Sequence, residues 1–444
     1  MPLNNGSKQA RPITAVEAAG MVQCGDWVDY GTSVNQPDVF DRALAARKEE
    51  LRGVKIRNCL TMQSRAVLEA DPTGEHFMCF NWHFSAYDRK KHDAGICHYM
   101  PDNLGEIPDY YRRFIPRADI AVLKVCRMDE NGFFNYSVTN LWHGAIVETA
   151  KVVVVEVTDG LPYVFGEQNG VHVSDVDYII EGDNAPVVVL PRGVASDTDH
   201  AVARLIAGEI EDGACVQIGI GTMPNVVCSL LLDSGVRNLG VHTEMLIDGL
   251  VDLYKAGRIS GDGKQLHRGK ISFSFALGSA DLYETIARNP DFLCCTVEDT
   301  NLPQFIMQND RVVAINNTTQ MDLQGQAVSE SDGHRQISGT GGQLQFVRGA
   351  YASKGGKSFI CLSSVYEKHG QRKSRIVLDL TPGNIVTVPR TDMMYVVSEY
   401  GLVNLKGKSN AERARAMISI AHPDFREQLE REAYESKLIP RAFF

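Results

Sequence analysis

Short runs of apolar, β-branched residues recur between amphipathic stretches, and that alternation restricts the chain more than any other feature. "ADIAVLKV" (118–125), "KVVVVEV" (151–157) and "APVVVLP" (185–191) read as buried strands bounded by turn residues. "AVEAAGMV" (15–22) and "PDVFDRALAARKEEL" (37–51) read as helices. Strands alternating with helices indicate α/β architecture with largely parallel sheets. With 444 residues the chain exceeds one ordinary core, so two domains are expected.

A faint internal echo supports two related domains. "CGDWVDYGTSVNQP" in the first half and "EDGACVQIGIGTMP" in the second each follow a helix. Gly25, Val28 and Gly31 match Gly213, Val216 and Gly219, and Pro37 falls one place off Pro224. Each copy reads as a Gly turn, a short strand, a Gly-bearing loop and a helix opened by proline. "PRGVASDTD" (191–199) is the expected boundary, with Asp197 or Thr198 capping the next helix. The expected domains are 1–192 and 197–444: two related open α/β domains with largely parallel sheets and an active-site cleft between them.

Hydrophobic residues make up 44% of the chain and charged residues 23%, the profile of a soluble globular protein. The net charge of -10 argues against a nucleic-acid partner. No run approaches the ~20 apolar residues of a membrane span, and the start lacks the apolar core of a signal peptide. A cytoplasmic protein is expected. The ten cysteines contain no C-x-x-C pair and read as reduced, mostly buried thiols. The twelve histidines show no H-x-x-x-H or H-E-x-x-H grouping, so no metal site is expected.

Four segments could carry chemistry. "IGIGTMPNVV" (218–227) runs from a strand through a Gly loop into a helix. Pro224 stands where a dinucleotide fingerprint needs glycine. Gly219 and Gly221 still allow backbone N–H groups to approach a ligand, although taken alone a plain strand–helix turn explains them better. In "RNLGVHTEM" a short strand ends in polar residues, and "LIDGLVDLYKAG" continues with helical spacing. Glu244 therefore lies near a strand's C-terminal end, where open α/β sheets build their clefts; it could also be a helix-start carboxylate that complements the dipole. "ISGTGGQLQFVRGAYASKGGKSFICL" (337–362) sets two glycine clusters, including Gly341 and Gly342, among Arg348, Lys354 and Lys357. Such loops suit anions or a developing oxyanion, or else form hairpin turns. In "AINNTTQ" two asparagines follow a buried run, as carbonyl donors or as turn formers.

Together and in this order, the segments resemble the acetyl-CoA hydrolase/transferase family of CoA-transferases, nearest its butyryl-CoA:acetate and 4-hydroxybutyrate branch. "GIGTMPN", "GVHTEMLIDGLVDLYKAG", "ISGTGGQLQFVRGAYASKGGKSFICLSS" and "YVVSEYGLVNLKGKS" carry the resemblance, which covers nearly the whole chain. It implies an acyl-CoA:carboxylate CoA-transferase with Glu244 as nucleophile and a glutamyl-CoA thioester intermediate. It places the oxyanion donor on Asn316, with Asn317 as the neighbouring register, and on the backbone at Gly341 and Gly342. The CoA-contacting loop falls on Gly219, Gly221 and Pro224; Arg348 and Lys354, interleaved with the glycines of 337–362, are the basic residues expected to bind CoA. The acyl pocket falls on Asn35, Met62, Trp82, Tyr87 and Arg89. Coenzyme A is a co-substrate, with no tightly bound cofactor.

The expected substrates are acetyl-, butyryl- or 4-hydroxybutyryl-CoA and small carboxylates. The alternatives are a dicarboxylate acceptor such as itaconate or succinate, or hydrolysis on the same scaffold. A homodimer or higher homo-oligomer is expected. Glu244 must be ionised to attack, so a normal or lowered pKa suits it. His242, two residues away on the same strand face, could bond the carboxylate or be structural.

Overall fold

The computed structural model describes residues 8–368 and 370–440. They form two compact units. The first comprises the chain up to Leu190 together with Ser272–Thr300 and Gln336–Gly341. The second comprises Pro191–Ile271, Asn301–Arg335 and the chain from Gly342 onward. After the break at Leu190 the chain thus returns twice to the first unit. Backbone bonds hold the longer return: Asn140 N–H donates to Ser274 O, Ala276 N–H to Val138 O, and Cys294 N–H to Phe165 O.

The first unit is built on an eight-stranded, wholly parallel sheet. Its strands are β1 (Arg11–Pro12), β2 (Trp27–Thr32), β3 (Val54–Cys59), β4 (Phe77–Asn81), β5 (Cys97–Tyr99), β6 (Ile120–Cys126), β7 (Val152–Thr158) and β8 (Tyr178–Glu181). They lie in the order β1-β8-β7-β6-β2-β3-β4-β5. Residues 153–158 of β7 are all buried, as expected of a parallel strand covered on both faces. Ala18, Ala19, Phe40 and Leu44, from helices Ala15–Gly20 and Val39–Ala45, pack on Val28, Val54 and Ile56.

Six strands form the sheet within the second unit: β9 (Cys215–Ile218), β10 (Gly240–Leu246), β11 (Val312–Asn317), β12 (Lys357–Cys361), β13 (Tyr395–Ser398) and β14 (Gly401–Asn404). Their order is β10-β9-β11-β12-β13-β14, parallel except for the final hairpin. Val347, Ile360, Val396, Ala414, Met417 and Leu429 share its core.

The two sheets repeat one topology. β8-β7-β6-β2-β3 in the first corresponds strand for strand to β13-β12-β11-β9-β10 in the second. The turn before each central strand is closed alike: Gly25 N–H donates to Arg52 O at 2.9 Å, and Gly213 N–H to Arg237 O at 3.0 Å. The echo in the sequence is an echo in the fold.

Two local expectations are corrected. Residues 185–191 form no strand; they are an extended, largely exposed connection. Pro186 and Pro191 remove ladder donors at its ends. Val187 N–H instead donates to Gly160 O and Leu190 N–H to Gly278 O. The helix Asp197–Ala207 is capped by Ser196, in a reciprocal capping box with Asp199, rather than by Asp197 or Thr198. No helix among the described residues is long and apolar enough to cross a membrane.

Candidate active site

Glu244 stands in β10, two residues before its end. The strand alternation puts His242 and Leu246 on its face. His242 is buried, its ring 6.5 Å from that of Phe346. Glu244 itself keeps partial access to solvent.

Two groups close on its carboxylate. Asn301 Nδ2 donates to Glu244 Oε2 at 2.5 Å, and the Gly342 backbone N–H also bonds the carboxylate. Asn301 is fully buried at the end of the short helix Val297–Asn301. Gly342 is the N-cap of the helix Gln343–Ala352, so the carboxylate sits where the helix dipole favours an anion. A Cβ on Gly342 would lie 2.2 Å from Glu244 Oε2 and 2.3 Å from Asn301 Nδ2, so only glycine permits this approach. Gly341 before it adopts φ +59°, in the left-handed region that glycine enters at little cost.

Burial and these contacts act on the carboxylate in opposite directions. Burial pushes the Glu244 pKa from 4.5 up to about 7, against the pull of the Asn301 amide and the Gly342 N–H. The normal or lowered pKa expected from the sequence is therefore corrected: the fold desolvates the carboxylate more strongly than its donors stabilise the ion.

Asn301 had no place in the sequence reading. The expected donor, Asn316, is engaged differently. Its Nδ2 donates to Gln217 Oε1 at 3.0 Å, and Gln217 Nε2 donates back to Asn316 Oδ1 at 3.2 Å. This reciprocal pair joins β9 to β11 beside the glycine loop. A Cβ on Gly219 would come within 3.1 Å of Asn316 Oδ1, and one on Gly221 within 3.2 Å of Asn317 Nδ2. Gly221 is exposed and caps the helix Thr222–Asp233, while Pro224 is buried in its first turn. The glycine loop and the asparagine pair thus lie together at the carboxyl ends of the neighbouring inner strands β9 and β11.

The basic residues are more dispersed. Arg348 is exposed and makes two bonds to Asp392, at 2.9 and 3.3 Å. Lys354 is exposed, its carbonyl accepting from Arg311 N–H at 2.8 Å. Lys357 pairs with Glu209 at 3.0 Å.

The expected acyl-pocket residues and Gly341 all belong to the first unit. Asn35 is buried and bridges two carbonyls, Lys124 O and Tyr136 O, each at 2.8 Å. Trp82 is buried, its ring 6.0 Å from Tyr110, and Met62 is half-buried. Tyr87 donates to Glu69 at 2.8 Å and accepts from Arg65 N–H at 3.2 Å. The Arg89 guanidinium donates to Ile337 O. Gly341 O accepts from Leu104 N–H at 3.1 Å.

A desolvated carboxylate held by two donors, on a strand that leads into a helix, suits nucleophilic acyl chemistry. Comparison with known proteins agrees. Residues 7–191 match the acetyl-CoA hydrolase/transferase N-terminal domain, and residues 278–433 match the C-terminal domain of the same description. A butyryl-CoA:acetate CoA-transferase of Anaerostipes caccae is 44% identical, covering 98% of each chain. A probable butyrate:acetyl-CoA coenzyme A-transferase of Syntrophomonas wolfei is 42% identical over 97% of this chain and 96% of that one. The crystal structure of RipA from Yersinia pestis is similar with a TM-score of 0.87 and 34% identity, covering 97% of this chain and 98% of that one. By both of its domains and along nearly its whole length, the chain belongs to the acetyl-CoA hydrolase/transferase family.

Proposed function

We propose that this enzyme moves CoA between a short-chain acyl-CoA (acetyl-, butyryl- or 4-hydroxybutyryl-CoA) and a free carboxylate, through a CoA thioester on Glu244. The observation that carries the reading is a desolvated Glu244 carboxylate set against two donors, Asn301 and the Gly342 N–H. Asn301 donates to Oε2, and Gly342 approaches that same oxygen too closely for any side chain.

The steps balance without a proton. Ionised Glu244 attacks the thioester carbonyl and expels CoA thiolate, leaving a mixed anhydride. The thiolate attacks the glutamyl carbonyl; the acyl carboxylate departs and glutamyl-CoA remains. An incoming carboxylate attacks that thioester, expels the thiolate and forms a second anhydride. The thiolate attacks the new acyl carbonyl, and Glu244 is restored. One negative charge passes along the sequence, and each intermediate stays activated. Splitting the exchange in this way is the gain of covalent catalysis. When the glutamyl carbonyl is attacked, Asn301 and the Gly342 N–H stabilise the oxyanion; losing one such donor typically costs ~3 kcal/mol. A pKa of about 7 leaves a substantial ionised fraction at neutral pH and a carboxylate desolvated enough to react.

The Gly219–Gly221 loop, with Pro224 in the helix that follows, contributes to the CoA site. Arg348 and Lys354 act from outside it, the former sharing its charge with Asp392. Asn35, Met62, Trp82, Tyr87 and Arg89 shape the acyl side. The enzyme works in the cytoplasm as a homodimer or higher homo-oligomer.

Kinetics test the reading: initial rates across a panel of acyl-CoA donors and carboxylates should give parallel double-reciprocal lines, the mark of a covalent intermediate. Intersecting lines, or CoA release at equal rate without any carboxylate, would refute it.

A further inference from the structure

Gly342 has no side chain with which to fix its own position, yet its N–H must stay on Glu244. The next residue supplies an anchor. Gln343 opens the helix Gln343–Ala352 and is only 9% exposed. Its Nε2 donates to the main-chain carbonyl of Asn317 at 3.0 Å. That carbonyl belongs to the last residue of β11 and also lies 3.4 Å from Ser329 Oγ.

The anchor point is itself restrained. β11 pairs with β12 through Asn316↔Ile360 and Asn317↔Cys361. Asn316 is held by its reciprocal pair with Gln217, and the Asn317 amide reaches Ile220 O at 3.5 Å. The end of an inner strand, paired on both sides, therefore meets the helix start through one amide–carbonyl bond.

We propose that Gln343 is a positioning residue: by bonding the Asn317 carbonyl it fixes the helix start, so that the Gly342 N–H remains on the Glu244 carboxylate. This rests on the role of Glu244 argued above. A buried glutamine is an expensive way to fill space, because its amide must find partners. Methionine occupies nearly the same volume without a donor, so Gln343→Met separates the bond from the packing.

The test uses the full chain. Gln343→Met should lower kcat by roughly tenfold or more, since a displaced donor stabilises the oxyanion poorly, and should leave the KM for acyl-CoA unchanged. The acid limb of the kcat profile should move up from about 7, by about one pH unit, because a donor to the carboxylate has been weakened. Infrared titration of the Glu244 carboxyl, read as wild type minus Glu244→Gln, should move by the same amount in the Gln343→Met background. Gln343→Glu, which replaces the donor with an acceptor, should act in the same direction. An unmoved titration, with activity falling only in step with the melting temperature, would reduce Gln343 to a packing residue and overturn the proposal. A wild-type protein that transfers no CoA would refute the function instead; the infrared titration needs no turnover and decides the tie separately.

Discussion

Replacing Glu244 with glutamine removes an ionisable group whose burial costs stability, and the size of the gain follows from its environment. Burial raises the folded-state pKa from 4.5 to about 7. A group raised in this way contributes stability that is fully present below the unfolded value and lost as pH climbs through the folded one. Each pH unit between the two is worth about 1.4 kcal/mol. Allowing for the partial solvent access of Glu244, the wild-type protein gives up about 2–3 kcal/mol between pH 4 and pH 8 that Glu244→Gln retains. Glutamine fits the same donors, because its Oε1 can accept from Asn301 and Gly342. In a folding unit of this size the gain corresponds to roughly 5–10 °C in melting temperature. Calorimetric scans of both proteins at matched pH, read as the difference between them, remove every other titrating group. The variant should gain on the wild type from about pH 4.5 to pH 7 and hold a constant lead above that. A difference that is flat with pH, or that runs the opposite way, would show that Glu244 is not desolvated, and the reasoning would fail.

Other consequences are as specific. Gly342→Ala puts a Cβ 2.2 Å from Glu244 Oε2, so turnover should fall by about a hundredfold or more while melting changes far less; equal proportional losses in both would deny the close approach a catalytic role. Asn301→Ala removes the donor at 2.5 Å: kcat should drop by roughly 10²–10³, and the acid limb of the pH profile should move upward, both read from pH-dependent rates. Of the ten cysteines, only Cys24 is exposed. A thiol reagent should therefore label one site in the native protein and all ten in denaturant, with Cys24→Ser abolishing the native signal.

The parts legible in the sequence were those set by periodicity and by glycine. Continuous apolar runs gave β6 and β7, since strands covered on both faces need no alternation. The paired glycine turns gave the repeated topology, because Gly25 and Gly213 close equivalent loops. The run at 185–191 shows where composition misleads: its valines look like a buried strand, but the flanking prolines leave it outside both sheets. Asn301 was hidden for another reason. It ends the run "VEDTN" shortly before Pro303, where an asparagine reads as an ordinary helix-end residue. Its distance in sequence from Glu244 is closed only by the fold. Asn316 carried the louder local signal, an asparagine directly after a buried strand, and its partner proved to be Gln217. The pKa of Glu244 was illegible for the same reason, because desolvation belongs to the assembled site and not to the motif.

The central claim is that Glu244 becomes covalently joined to CoA. Incubation with acetyl-CoA in the absence of an acceptor carboxylate, followed by intact-protein and peptide mass spectrometry, tests it directly. The account predicts a CoA adduct on the peptide carrying Glu244, removed as borohydride reduces the thioester and absent from Glu244→Ala, which also loses transfer. An adduct that maps to a cysteine while the wild type exchanges CoA at full rate, or a Glu244→Ala protein that keeps its activity, would contradict it.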